Sequence, residues 1–343
     1  MKTYKKLWDR FISAENFEIA AKKAIRSKKS RKSVQRFIAN RDELLQKLRN
    51  DIICGNFKTS SYKTFIIREP KERVIYNLPL YPDHIVHHAL INILGPIWQS
   101  FFIRDTFACI PGRGLHAASK RTMDFVRRNK YVIQCDIRKF YPNIDHKIMM
   151  DIVARKIHDR RILRIMKDIV YSVGGDKNLP IGNLTSQWLG NVYLNELDQF
   201  VKQKLHWRDY IRYCDDFYLY GNDKQVLKNM GRQIEDFINN HLKLTLSKSI
   251  LRQTKHGVPF IGYKHFKKHI TMRKWPAQKI RRRLLNIAYA HDQSPLAVGQ
   301  IAAAYGWTKW ACSYNYRRHI LLLARKHAIK MYFFMRRRLL NGK

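Results

Sequence analysis

Acidic residues are scarce in this chain: 26 Asp and Glu stand against 67 Lys and Arg in 343 residues, a formal net charge of +41. Such an excess calls for a polyanionic partner, most simply nucleic acid, because each phosphate neutralised releases counterions; an anionic membrane surface answers the charge less well. Cysteine is sparse too. Cys54, Cys109, Cys135, Cys214 and Cys312 are scattered, odd in number and never spaced Cys-x-x-Cys, which points to a reducing compartment and excludes a zinc knuckle. Long apolar runs are missing. The first ten residues carry no apolar core of the signal-peptide kind, and the most apolar late run, residues 320–335, is interrupted by Arg325, Lys326, His327 and Lys330. A soluble, cytoplasmic protein without a membrane partner is therefore expected. Internal repeats and low-complexity linkers are absent as well. What is present is an ordinary apolar fraction of 45% and enough length for a sizeable core divided into two or three subdomains.

Among so few acids, two adjacent ones stand out. Asp215 and Asp216 interrupt the run Tyr210-Ile211-Arg212-Tyr213-Cys214-Asp215-Asp216-Phe217-Tyr218-Leu219-Tyr220-Gly221, whose aromatic and β-branched composition reads as strand, turn, strand. Neighbouring carboxylates repel each other unless a cation is present, so an acidic tip between buried strands suggests a metal site; a solvated turn is the plainer alternative. A third acid, Asp136, ends the buried-type strand Tyr131-Val132-Ile133-Gln134-Cys135-Asp136-Ile137, with Phe140 and Tyr141 close behind. Asp145 is expected to cap a helix over residues 147–157.

Elsewhere the pattern is mixed. Residues up to about 50 read as helical, with a basic patch at 22–36. Residues 64–78 read as two strands around a Pro-Lys turn, where Arg68, Lys71 and Arg73 cluster. A helix is expected over 82–94 with Asp83 as its N-cap; its His84, His87 and His88 have metal-binding spacing, but no carboxylate or cysteine completes a site and Ile85, Ala89 and Ile93 mark a packing face. Residues 107–118 and 179–187 are turns opening into helices, and 226–242 is an amphipathic helix. Residues 242–248 and 258–263 alternate and read as strands. From about 271 the chain is basic and helical with interleaved aromatics, a composition that suits stacking on a nucleic-acid strand. Three carboxylates on a small sheet, Asp136, Asp215 and Asp216, are what a two-metal phosphoryl displacement requires, with ions about 3.5–4 Å apart and all-oxygen ligands suited to magnesium.

The order of these blocks resembles a reverse transcriptase, from about Phe65 onward: Arg68 to Ile75, Gly112 to Ala118, Cys135-Asp136 with Phe140-Tyr141, Pro180 to Gln187, Tyr213-Cys214-Asp215-Asp216, Leu242 to Lys248, and Phe260-Ile261-Gly262-Tyr263. The resemblance implies an α/β (α+β) right-hand polymerase. Its parts would be a basic helical extension at 1–60, fingers at 61–130, a palm at 131–265 with a helical insertion at about 147–180, and a basic helical thumb at 266–343. It implies two magnesium ions, with manganese as a substitute, at Asp136, Ile137, Asp215 and Asp216, the last acting mainly through its charge. Lys248 would protonate pyrophosphate, Lys71, Arg73 and Arg68 would hold the triphosphate, and Tyr141 would be the gate that collides with a ribose 2′-hydroxyl. Phe260, Ile261, Gly262 and Tyr263 would form the primer grip. Template RNA, the cDNA primer, the RNA–DNA hybrid and deoxynucleoside triphosphates would be the partners.

Within that family, Ile181-Gly182-Asn183-Leu184-Thr185-Ser186-Gln187 departs from the usual Gln-Gly-x-x-x-Ser-Pro and is similar to the Ile-Gly-x-x-x-Ser-Gln form of diversity-generating retroelement enzymes. This implies a short enzyme with no appended maturase, RNase H or endonuclease domain, which copies a template-repeat RNA with errors at adenines and works with a small, basic, oligomeric accessory variability determinant. Ile181, Gly182 and Gln187 would line the nucleotide site. Where relatives place a hydrogen-bonding glutamine, isoleucine offers only apolar contact, worth about 1–3 kcal/mol of discrimination. A retron, abortive-infection or group II intron-like enzyme is the nearest rival, a basic RNA-binding scaffold the non-catalytic one. An RNA-copying RNA polymerase conflicts with Tyr141 at the gate.

Overall fold

The computed structural model describes residues 3–68, 71–290, 294–316 and 318. Glu69 and Pro70 of the expected turn, the apolar run at 320–335 and the end of the expected thumb lie outside the described residues. Ten strands are described: β1 (Lys63–Ile67), β2 (Arg73–Asn77), β3 (Thr106–Phe107), β4 (Tyr131–Ile137), β5 (Tyr210–Tyr213), β6 (Asp216–Gly221), β7 (Leu246–Gln253), β8 (Val258–Phe260), β9 (Tyr263–His265) and β10 (Ile270–Met272). They form a five-stranded sheet ordered β3-β5-β6-β4-β7, the two-stranded sheet β1-β2, and a three-stranded sheet β10-β9-β8. β4 lies between two neighbours, and its near-continuous burial, with Val132, Ile133, Cys135 and Ile137 all inside, matches a run that does not alternate.

The chain divides into two units, one comprising the residues up to Pro111 with Cys135–Phe217 and Asn229–Ser249, the other Gly112–Gln134, Tyr218–Lys228 and the chain from Ile250 on. In the first, the expected N-terminal helices are Trp8–Ile12, Ala14–Ile25, Lys32–Ala39 and Arg41–Ile53. Ser13 caps the second of these by accepting from the Asn16 N–H at 3.2 Å. Their apolar faces bury Phe11, Phe17, Ala20, Val34, Phe37, Leu45 and Leu48, which leaves Lys22, Lys23, Arg26, Lys29, Arg31, Lys32 and Arg36 exposed. Asp159 ties the N-terminus down: its Oδ2 accepts from the N–H groups of Leu7 and Trp8 at 2.9 and 3.0 Å, while its Oδ1 caps the helix Arg160–Val170. The helix Leu184–Gln199 is almost wholly buried, with Trp188, Leu189, Val192, Tyr193, Leu194 and Leu197 inside. Asp145 caps its helix as expected, accepting from the Ile148 N–H at 3.0 Å.

Three local expectations are corrected. The helix after residue 82 is Ile85–Gln99, and Asp83 does not cap it: a wider, π-type turn over Leu80–His84, kinked at Tyr81, precedes it, and the buried Asp83 instead accepts from the Ser60 N–H at 3.0 Å. The strand read at 242–248 begins at Leu246, because Leu242 and Leu244 are spent closing the preceding helix into the core, where the Leu244 N–H reaches the Ile238 carbonyl. The strand read at 258–263 is a hairpin, β8 and β9, since Ile261 and Gly262 both take positive φ (44° and 86°) and turn the chain back with Phe260 opposite Tyr263.

In the second unit, the helices Lys274–Tyr289 and Pro295–Trp310 bury Leu284, Ile287, Ala297, Ile301 and Ala304 between them. The interleaved aromatics divide there. Trp275, Tyr289 and Tyr314 are exposed, Tyr316 packs on the helix core, and Trp307 stacks on Tyr263 with ring centroids 5.2 Å apart.

Candidate active site

Asp136 sits at the penultimate position of β4, next to the neighbouring strand's Ser247, whose hydroxyl donates to Asp136 Oδ2 at 2.6 Å. On the other side of β4, β6 begins with Asp216, and Asp215 occupies the turn from β5. Cys214 enters that turn with φ of 55°, a left-handed conformation that costs a non-glycine residue roughly 1–2 kcal/mol. Strand pairing thus assembles three acids from two distant segments.

Their electrostatics confirm the proximity. Burial raises Asp216 to about 7, and the charges of Asp136 and Asp215 add to the rise, while Lys248 and Lys71 oppose it. Asp215 is raised too, first by burial and then by Asp136, against Arg73 and Lys71. Lys71 Nζ stands 3.8 Å from Asp136 Oδ2, and the lysine is largely exposed, so this pair orients a cation and adds little stability. Lys71, Arg73 and Lys248, three of the cations picked out in the sequence, therefore border the carboxylates. Arg68 is exposed just beyond β1, and no described contact brings it to them. Ile137 closes β4 and its side chain is buried.

The donor chemistry fits a hard divalent cation: the acids offer oxygen only, and burial together with their mutual repulsion disfavours ionising all three until positive charge arrives. Among the described residues no group of three His, Cys, Asp or Glu side chains is placed to hold an ion unaided. A magnesium site that borrows substrate phosphate oxygens needs only one or two protein carboxylates. His87 lies elsewhere, fully buried against the Thr185 hydroxyl at 3.3 Å; burial pushes it down to about 3 and His88 to about 4, so both are neutral imidazoles.

Tyr141 lies in the short helix Phe140–Asn143, and burial raises its hydroxyl well above the ordinary range, with smaller contributions from the nearby Cys214, Cys109 and Asp215. The turn before the helix Leu184–Gln199 is fastened to β2, where the Tyr76 N–H donates to the Ile181 carbonyl at 2.8 Å. Gly182 is needed there: its φ is 125°, and a Cβ would stand 2.6 Å from the Tyr76 carbonyl oxygen. Ile181 is half-buried, and Gln187 is exposed on the first turn of the helix. In the second unit, Phe260 and Tyr263 point into the core, and Ile261 and Gly262 form the hairpin tip, with the Trp307 ring 2.6 Å from where a Gly262 Cβ would lie.

Sequence reasoning missed one arrangement. Arg212, inside the β5 run, is completely buried and pairs with the equally buried Asp198, Nη2 to Oδ2 at 2.6 Å and Nε to Oδ1 at 2.8 Å. An arginine in an otherwise apolar strand was the available signal.

A family model described as reverse transcriptase (RNA-dependent DNA polymerase) matches residues 66–265. The group II intron-encoded protein LtrA of Lactococcus lactis is 21% identical over 321 residues, covering 71% of this chain and 53% of that protein. The Retron Ec73 reverse transcriptase of Escherichia coli is 29% identical over 186 residues, covering 49% of this chain and 55% of that protein. The chain thus spans about half the length of these two relatives. Among solved structures, telomerase from Candida albicans, in complex with a fragment of telomeric RNA, is similar with a TM-score of 0.51 and 11% identity over 84% of this chain and 58% of that one. At that identity the likeness is one of fold, the mixed α/β right-hand polymerase.

Proposed function

Because this chain belongs to the reverse transcriptase family, we propose that it copies an RNA template into DNA, and that it does so as the mutagenic polymerase of a diversity-generating retroelement. The observation that carries the first part is the meeting of Asp136, Asp215 and Asp216 beside Lys71, Arg73 and Lys248. Asp136, Asp215 and Asp216, with Ile137 beside them, would hold two magnesium ions, or manganese in their place. Bound there, the ions supply activation of the primer hydroxyl and neutralisation of the leaving pyrophosphate. The protein's own groups do the rest. Lys71 and Arg73, assisted by Arg68, hold the triphosphate; Lys248 delivers a proton to pyrophosphate; Ser247 fixes the carboxylate of Asp136 by its 2.6 Å hydrogen bond. Tyr141 excludes the ribose 2′-hydroxyl, and the Ile261-Gly262 tip, backed by Phe260 and Tyr263, steadies the primer.

On this reading residues 1–60 are a basic extension, 61–130 the fingers, 131–265 the palm and 266–343 the thumb, and the exposed lysines and arginines at 22–36 bind template RNA. The retroelement part rests on Ile181-Gly182 with Ser186-Gln187. It carries with it a template-repeat RNA and a small basic accessory protein. The intron and retron relatives favour a second reading, an accurate polymerase of one of those kinds. Primer extension on a defined RNA with magnesium and deoxynucleotides, followed by product sequencing, separates them. Errors concentrated opposite template adenine are expected; accurate cDNA would transfer the chain to the second reading. No product, with accessory protein and cognate RNA supplied, would leave an RNA-binding scaffold.

A further inference from the structure

Arg212 is a buried arginine whose every donor is taken. Its Nε and Nη2 form a two-pronged pair with Asp198, its Nη1 donates both to Asn191 Oδ1 and to the Cys214 carbonyl, each at 3.0 Å, and the second Nη2 hydrogen reaches the Asn191 carbonyl at 3.5 Å. Asp198 is in turn held by the Tyr210 hydroxyl at 2.8 Å and by the Thr106 hydroxyl. Packing alone does not account for this. Apolar side chains of the same volume fill such a site as well or better, since desolvating two charges offsets most of their attraction. The bond that distinguishes Arg212 from a packing residue is the one to Cys214.

The Cys214 carbonyl belongs to the peptide that leads into Asp215, and Cys214 has the left-handed φ of 55° described above. A residue in that region needs its surroundings to hold it there. The planar guanidinium does so from the helix side: Asp198 and Asn191, both on Leu184–Gln199, fix the fork, and the fork fixes the carbonyl. Asp198 also absorbs the arginine's charge. The cations that act on Asp215 and Asp216 are instead Lys71, Arg73 and Lys248. We infer that Arg212, clamped by Asp198, is a positioning residue that sets the direction of Asp215 by holding the Cys214 carbonyl. This rests on Asp215 being a catalytic carboxylate.

The test is Arg212→Lys in the full chain. Lysine keeps the charge for Asp198 but cannot span to Cys214 as well. The expected result is a fall in kcat of about a hundredfold, the usual effect of misplacing a catalytic group by about 1 Å, with deoxynucleotide KM and template RNA affinity within about twofold of the parent. Manganese binding to the nucleotide-free protein, read by electron paramagnetic resonance, should weaken in parallel, which a purely structural role would not produce. An unchanged kcat and manganese affinity would overturn the inference. Should Arg212→Lys fail to fold, the double variant Arg212→Met with Asp198→Leu removes the pair without leaving a lone buried charge. Full activity of that folded double variant would overturn the inference equally. Asp215→Asn is the companion control: if it is fully active, the catalytic reading itself falls, whereas an inactive Asp215→Asn beside a normal Arg212→Lys removes only the positioning role.

Discussion

Tyr141 rests on a glycine. A Cβ built on Gly190, in the buried helix Leu184–Gln199, would stand 3.3 Å from the Tyr141 hydroxyl and 3.2 Å from Phe140 Cε1. The flat backbone at Gly190 is what lets the ring lie where it does, so the proposed gate is set by the helix beneath it as much as by its own rotamer.

Gly190→Ala should therefore act on nucleotide handling without harming the fold. Alanine is a better helix former by about 1 kcal/mol, so the melting temperature should hold or rise. The ring has to give by a few tenths of an ångström, and deoxynucleotide kcat/KM should fall by about threefold to tenfold. Tyr141→Ala, which removes the ring, should admit ribonucleotides. Parallel KM measurements with dGTP and GTP on both variants would check this; unaltered selectivity in Tyr141→Ala would remove the gate.

Asp136→Asn keeps the shape of the side chain and its access to Ser247 but removes one of three charges. Synthesis should drop by a factor of about a hundred or more while RNA binding, read by filter retention, stays near the parent value. Retained synthesis would take Asp136 out of the site.

Asp216 makes metal-free stability depend on pH. Its folded value of about 7 lies above the ordinary 3.8, so between those limits the folded state holds more protons than the unfolded one. Stability then falls as pH rises through that window, because burial, and then the charges of Asp136 and Asp215, oppose ionising Asp216 in the fold. Thermal melts in chelator should show this slope, and Asp216→Asn should flatten it. Magnesium should stabilise more at pH 7 than at pH 5.

Ile181→Gln supplies hydrogen bonds where isoleucine offers only apolar contact. The main-chain tether from the Tyr76 N–H to the Ile181 carbonyl does not depend on the side chain, so the turn should survive the exchange. Misincorporation opposite template adenine should fall, read by sequencing primer-extension products; an unchanged error spectrum would count against a role for Ile181 in fidelity. Gly182→Ala is the contrasting case, since its Cβ would meet the Tyr76 carbonyl at 2.6 Å, and it should lose activity by displacing the turn.

Much of this was legible along the chain because it is local. The β4 run carrying Asp136, the Asp215-Asp216 hairpin, the capping role of Asp145 and the helical character of residues 274–289 and 295–310 follow from composition and spacing over a few residues, and the net charge of +41 is a plain count. The tertiary structure decided what depends on neighbours far away in sequence. Asp83 resembled a helix cap and is a buried acceptor for Ser60, because the turn over Leu80–His84 carries it into the core. Lys71 and Arg73 act on the carboxylates, while their companion Arg68 is not brought there by any described contact. Arg212 stood out in an apolar strand, but its burial and its partners were decided only when Asp198 and Asn191 arrived from the helix Leu184–Gln199 to neutralise and orient it. Periodicity and capping are written in short windows of sequence, whereas burial and the mutual repulsion of charges exist only once distant segments share one low-dielectric space.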